Sequence, residues 1–435
     1  MKLLIILLVF IGLTCSFPVA ASNGYFMIGY GAKSIGLAGA GVASPQDRLV
    51  GAINPAGMGL VADGYDVGLR VMGAIRNASI DCRGILACDT VVKDRSARDL
   101  FLIPNFGWKK QWNENLAVGV SLYGNGGINT TYGRAFYDET GARILGGNPG
   151  DPGFPRTGKL GVDFSQLFLA PSLAWRIHPN HTIGISPIMA VQRFSVRGLE
   201  SFAALSSDPS SVSSRSTEYS LGGGVRVGWT AEIHPDLRFG AQYTSRIWTR
   251  DLTKYNGLLA DGGDMDAPPH WSVGVSWDAT QQLTFVFDYQ RILFDSIDAI
   301  SNPGPTATEL AGVITPDRRF GAKNGIGFGW IDQSVYKLGM RYQHNDRLTF
   351  STGWNHATSQ IPNRETLINI IAPATTNDHV TLGGSWEFVG RGELALTYMH
   401  AFKKANHDQS SEFFGAAVKN SIYLHSIDIS WSKDF

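Results

Sequence analysis

The chain has 435 residues, equal numbers of acidic and basic side chains (37 each) and only 17% charged residues. A net charge of zero with no basic run excludes nucleic acid as a partner. A soluble chain of this length would divide into two or three domains, yet no Pro/Ser linker or shift in composition marks a boundary.

At the N-terminus, Lys2 supplies a positive n-region, Leu3 to Leu13 an apolar core, and Val19-Ala20-Ala21-Ser22 a small-residue cleavage site. This predicts a signal peptide over 1–21, cleaved near Ala21 or Ser22. The apolar run is too short for a membrane anchor, and Gly12-Leu13-Thr14-Cys15 makes a poor lipobox. Residues 22–62 do not alternate in polarity. Their Gly/Ala-rich stretch from Ser34 to Ala43 carries little charge and regular apolar residues, which argues against a disordered tail and for a compact piece.

From residue 63 onward the pattern changes to a period of two, with one apolar and one polar face. Fourteen strands are predicted, at 65–80, 100–112, 116–131, 167–178, 181–197, 217–234, 237–250, 270–279, 282–294, 326–343, 347–358, 378–389, 392–404 and 422–435. The clearest has Tyr219, Leu221, Val225, Val227, Trp229, Ala231 and Ile233 on one face and Ser220, Gly222, Gly224, Arg226, Gly228, Thr230 and Glu232 on the other. Segments of about ten residues are long enough to cross a bilayer as tilted strands. The connections alternate between tight turns such as His178-Pro179-Asn180-His181 and long loops. That alternation, with no repeat of propeller length, points to an all-β, 14-stranded antiparallel transmembrane barrel over 63–435. Such a barrel leaves an opening unless something fills it, and 22–62 is expected to be that plug.

The first long loop holds Cys82 and Cys88, most simply a disulfide in an oxidising compartment; no clustered His supports the metal alternative. Loop 132–166 offers Phe136, Tyr137, Ile144, Leu145 and Phe154, and loop 198–216 offers Leu199, Phe202 and Leu205. Apolar loop residues either capture a ligand or pack together as a cap. By parity Arg70, Arg226, Arg238, Asp288, Arg341, Glu387 and Asp428 face inward. Arg226, mid-strand, is the candidate to hold a ligand carboxylate, against the alternative of a lumen salt-bridge network. The last strand ends in Phe435, with Ile427, Ile429 and Trp431 two apart before it and Lys433 interrupting the face. This matches the assembly signal of bacterial outer-membrane proteins and places the chain in the outer membrane of a Gram-negative cell. No H-E-x-x-H, G-x-S-x-G, Walker A loop or Cys/His cluster is present, so neither catalysis nor a metal or other cofactor is expected.

Asn54-Pro55-Ala56-Gly57-Met58 resembles the hatch signature of the FadL/TodX family. Ile103-Pro104-Asn105-Phe106-Gly107 and Leu122-Tyr123-Gly124-Asn125-Gly126-Gly127-Ile128-Asn129-Thr130-Thr131-Tyr132 resemble that family's second and third strands, with Asn125-Gly126-Gly127 where Pro-Phe-Gly is usual. The resemblance implies an outer-membrane transporter of long-chain fatty acids or other hydrophobic compounds. It further implies capture at outer loops, a lumen pocket, and energy-independent exit toward the inner leaflet through a gap at strand three. On that precedent Gly124, Asn125, Gly126 and Gly127 would line the gap, and Asn54, Pro55, Ala56 and Gly57 would form a rigid turn that closes it. Arg226, Phe136, Phe202 and Leu205 would meet the ligand. The expected partners are the hydrophobic substrate, outer-membrane lipid and lipopolysaccharide, with the barrel working as a monomer. The competing functions are uptake of aromatic hydrocarbons by the same route, a passive porin for polar solutes, and a barrel lipase that assembles Ser and His across strands.

Overall fold

The computed structural model describes residues 23–84, 91–133 and 159–435. Residues 1–22, where a signal peptide is expected, Cys88 and loop residues Phe136, Tyr137, Ile144, Leu145 and Phe154 lie outside them. Fourteen antiparallel strands close a barrel: β1 (Gly64–Asp81), β2 (Leu100–Gln111), β3 (Leu116–Asn129), β4 (Gly161–His178) and β5 (His181–Arg197). There follow β6 (Glu218–His234), β7 (Leu237–Thr244), β8 (His270–Asp278), β9 (Leu283–Ile292) and β10 (Gln333–Gln343). The wall is completed by β11 (Leu348–Ala357), β12 (Asp378–Phe388), β13 (Gly392–Asp408) and β14 (Ala417–Asp434). Each strand pairs with its neighbours in sequence, and β1 pairs with β14 from Gly64↔Asp434 to Asp81↔Ala417. Closure removes the sheet edges, so the wall satisfies its own backbone groups in lipid.

The outward residues are apolar and exposed, among them Val67, Leu69, Leu173, Ile185, Leu221, Leu338, Leu396, Ile427 and Ile429. Aromatic rings sit at both ends of this band: Trp271, Tyr336, Trp354 and Tyr398 toward the long loops, Trp175, Trp277, Tyr342 and Trp386 toward the short turns. Rings with an apolar body and a polar tip suit the two membrane–water interfaces.

Two predicted strands are shorter than their polarity suggests. Residues 245–250 leave the wall after Thr244, and Trp248–Thr249 folds back onto Gly222 and Gly223 of β6. Arg246 draws the chain there by pairing with Asp264 and Asp266, and the side-chain-free glycines give it room. Residues 326–332 form no ladder. Gly329 turns with φ +66°, and a Cβ there would lie 2.4 Å from Glu365; Trp330 instead enters the interior, donating from Nε1 to Asn369 Oδ1 at 2.6 Å. A short extra strand, Val91–Arg95, extends β1 above the membrane band. β13 and β14 also run further than predicted, leaving only 409–416 between them.

Residues 23–62 lie within the lumen, bonded to inward side chains from around the wall. Arg70 (β1) donates to Gly29 O, Arg226 (β6) to Gly51 O, Lys337 (β10) to Ile28 O and Thr397 (β13) to Ala32 O, while Asp288 (β9) accepts from Gly41 N and Val42 N. The wall glycines make this close approach possible. A Cβ at Gly107, Gly184, Gly228 or Gly240 would lie within 2.6 Å of the inner segment, closer than non-bonded atoms come. Many of the glycines in the sequence are therefore the notches that seat it.

Candidate functional site

The wall is not uniformly zipped. β2 and β3 pair only from Phe106↔Leu122 to Gln111↔Ala117, near the short turns. Above this, Leu100–Asn105 keeps β1 as its partner and Tyr123–Asn129 keeps β4, but the facing edges do not bond each other. Further up the chain closes again, where Ala97 N donates to Thr131 O at 2.8 Å. The result is a gap in the loop-side half of the barrel. Its cause is local: β3 carries a bulge between Gly124 and Gly126, with Asn125 as the extra residue. A bulge reverses the side-chain parity and bends the strand away from its neighbour.

The freed edge of β3 is occupied from inside. Phe26 bridges Gly126, Met27 N donates to Asn125 O at 3.2 Å, and Gly127 N donates to Tyr25 O at 2.9 Å. Gly126 admits this approach because a Cβ there would lie 1.8 Å from Tyr25 O. The Asn125 side chain is held on the lumen side, donating to Gln166 and accepting from the Tyr30 hydroxyl.

Directly above lies a small apolar pocket lined by Tyr25, Phe164, Phe194, Phe328 and Trp330, with Ile128, Val162, Met265, Ile300 and Ala372 between them. Tyr25 meets Phe164 edge-on at 5.4 Å and lies 5.8 Å from Phe294 and 6.2 Å from Trp330. Its hydroxyl is buried with no hydrogen-bond partner among the described residues, and burial raises its pKa well above that of free tyrosine. Tyr25 thus belongs to both the cavity and the gap. In the same inner segment Asp47 caps the turn Arg48–Ala52, accepting from Leu49 N. Burial first, then the Asp66 charge, pushes its pKa up to about 7.

A family model described as outer membrane protein transport protein (OMPP1/FadL/TodX) matches residues 13–429. The chain belongs to the FadL/TodX family. It is an outer-membrane, multi-pass barrel that transports hydrophobic compounds. Among solved structures, the P. putida toluene transporter TodX superposes with a TM-score of 0.68 at 15% identity, over 94% of this chain and 99% of the other. A Pseudomonas aeruginosa FadL homologue gives 0.66 at 14% identity, over 95% and 100%. The Ralstonia pickettii toluene transporter TbuX gives 0.61 at 16%, over 94% and 99%. These likenesses are of fold. No curated protein matches the sequence.

Within this FadL/TodX barrel the sequence-predicted residues divide sharply. Gly124, Asn125, Gly126 and Gly127 stand together on the gap edge of β3. Asn54 and Pro55 do not: Asn54 donates to Val42 O and Trp229 O and accepts from Ala56 N, while Pro55 begins the turn Pro55–Leu60. Ala56 packs on Gly184 of β5, Gly57 on Val50 and Met58 on Gly119 of β3, so the signature seats the inner segment on the wall below the gap, where β2 and β3 are still paired. The residues at the gap are Tyr25, Phe26 and Met27, an apolar triplet that carried no motif. Arg226 is held between the wall and the inner segment. It is 1% exposed and donates to Thr244 Oγ1, Gly51 O and the Tyr123 hydroxyl. Phe202 and Leu205 are buried in the loop cap, where Phe202 meets the Phe320 ring at 5.5 Å; neither lines the cavity. Cys82 is buried and disulfide-bonded.

Proposed function

We propose that a hydrophobic molecule descends from the loops into the aromatic cavity, displaces Tyr25–Met27 from β3 and leaves sideways through the gap. The observation that carries this reading is the position of Tyr25, which lines the cavity with its ring and holds the β3 edge with its carbonyl. A ligand that takes the place of the ring therefore competes with the contact that keeps the edge covered, which is the differential interaction a gate requires. The route is needed because apolar surface costs about 25 cal/mol per Å² to hydrate in a water-filled pore. The process is transport without a chemical step, by a monomer set in outer-membrane lipid and lipopolysaccharide. The gap lies in the loop-side half of the wall, so release is toward the outer-leaflet side rather than the inner.

Long-chain fatty acids are the first reading of the cargo. A second, monoaromatic hydrocarbons, is favoured by the five aromatic rings of the cavity and by the toluene transporters among the similar structures. Uptake of labelled oleate and of toluene by a receptor-free Gram-negative strain separates them. Ala372→Phe fills the cavity and is expected to cut uptake of the true cargo about tenfold, with overpacking costing about 1–3 kcal/mol of local stability. Heat-modifiable migration of the barrel should be retained. Full uptake by a folded Ala372→Phe barrel, or leakage of small polar solutes through the wild type, contradicts the reading.

A further inference from the structure

On the outer face of the wall, two histidines meet where lipid-facing residues should be apolar. His400 of β13 stands directly opposite His425 of β14, one outward position nearer the loops than the pair Tyr398↔Ile427. Tyr398, Phe402 and Ile427 on the same face are exposed, so both imidazoles point out of the barrel, at the aromatic belt on the loop side. Ionisable side chains are rare on such a surface, and each needs a partner there. Here the partners are each other and one phenol. His400 Nδ1 lies 3.3 Å from His425 Nδ1, and Tyr398 Oη lies 2.6 Å from the same His425 nitrogen.

A ring nitrogen offers a single in-plane site, either one N–H or one lone pair. Two neighbours therefore compete for the one site on His425 Nδ1, and one of the two contacts is always short of a proton or a lone pair. A metal cation removes the conflict, because it takes a lone pair from each of the three atoms. The spacing fits as well: two imidazole nitrogens bound at about 2.0–2.1 Å to one tetrahedral zinc ion stand about 3.3–3.4 Å apart. The rings are held in place by their neighbours. Phe402 meets His400 edge-on at 4.8 Å, Tyr423 meets His425 edge-on at 5.7 Å, and the Tyr398 ring lies 6.0 Å from that of His425. Gly73 of β1, paired with His425 on its other side, carries no side chain to cover it.

We propose that His400, His425 and the Tyr398 oxygen form a zinc site on the outside of the barrel, across the β13–β14 pair, with water completing the tetrahedron. Imidazole nitrogen with an oxygen donor is a ligand set that suits zinc. No ligand comes from the inner segment or the cavity, so the site is independent of the lateral route. It lies just below the bulge between Ala401 and Lys404, where the register of β13 shifts. The two histidines are brought together only by strand pairing, so a bound ion stabilises the closed wall beside that irregularity.

The test uses the full-length mature protein without a histidine tag, stripped with chelator and titrated with zinc chloride by calorimetry. Cobalt chloride serves as a second probe, its visible absorption reporting a tetrahedral site. The wild type is expected to bind one equivalent of zinc. His400→Phe and His425→Phe should each weaken binding at least about tenfold, and Tyr398→Phe should weaken it less. His407→Phe alters an exposed histidine further along β13 and should bind as the wild type does, which separates the pair from surface imidazole in general. Phenylalanine suits a lipid-facing position, so the variants should fold, with heat-modifiable migration as the control. Saturating zinc should raise the unfolding temperature of the wild type but not that of His425→Phe. Equal zinc affinity in the wild type and both paired-histidine variants, an equal loss in His407→Phe, or no binding by the folded wild type would overturn the proposal.

Discussion

Oxidising the double variant Ile103→Cys/Gly124→Cys is expected to lower uptake of the hydrophobic cargo at least about tenfold, and mild reductant to restore it. A Cβ built on Gly124 of β3 lies 2.8 Å from Cγ2 of Ile103 on β2. The two Cβ atoms therefore come within disulfide reach, for which a separation of about 3.5–4.5 Å is usual. Gly124 does not have the positive φ that would resist a side chain. The bond would staple β2 to β3 where their ladder is missing, while leaving the cavity and the loops untouched. Each single variant should transport as the wild type does, and the cross-link can be read by a gel shift without reductant. Full uptake by a demonstrably cross-linked barrel would show that cargo does not pass between these strands.

Asp288→Leu should have the second-largest effect, and of the opposite kind. Asp288 accepts from Gly41 N at 2.7 Å and Val42 N at 3.0 Å, deep between the inner segment and β9. Replacing it leaves two buried N–H groups without an acceptor, at about 1–3 kcal/mol each. Lys337 (β10), which donates to Ile28 O and Gly39 O, also loses its nearby countercharge. The inner segment should loosen while the closed wall survives, because the β1–β14 ladder does not depend on it. Cells carrying Asp288→Leu are expected to admit large polar antibiotics that the wild type excludes, and the protein to show larger conductance in planar bilayers. Asp288→Asn keeps an acceptor and should differ little. Unchanged permeability for the Leu variant would mean that the inner segment is held by other contacts.

The barrel was legible in the sequence because lipid and water impose opposite demands on alternate residues of every strand. Tyr219 to Ile233 reads as a wall strand from polarity alone, and β6 is that strand. What polarity does not encode is where a strand stops being wall. Residues 326–332 are apolar enough to alternate, yet Gly327 and Gly329 send Trp330 inward. The site was harder still. Asn125-Gly126-Gly127 marked the bulge because glycine tolerates close backbone approach, but nothing local to Tyr25-Phe26-Met27 says that it will be the third edge of the opening. That pairing spans about a hundred residues and exists only once the barrel closes around the N-terminal segment. Arg226 poses a related problem: an inward arginine looks the same in sequence whether it meets a ligand or the carbonyl of Gly51. The cavity rings Phe164, Phe194 and Trp330 come from two strands and a loop, at spacings that carry no motif.

Hydrogen exchange of two amides tests the gate most directly. Met27 N–H and Gly127 N–H are bonded across the junction of the inner segment and β3, whereas the amides of Phe106–Gln111 lie in or beside the intact β2–β3 ladder. Addition of oleate or toluene to the protein in nanodiscs is expected to speed exchange at Met27 and Gly127 and leave the ladder protected. Equal protection at all of these positions with and without saturating cargo would contradict a gate opened by occupation of the cavity.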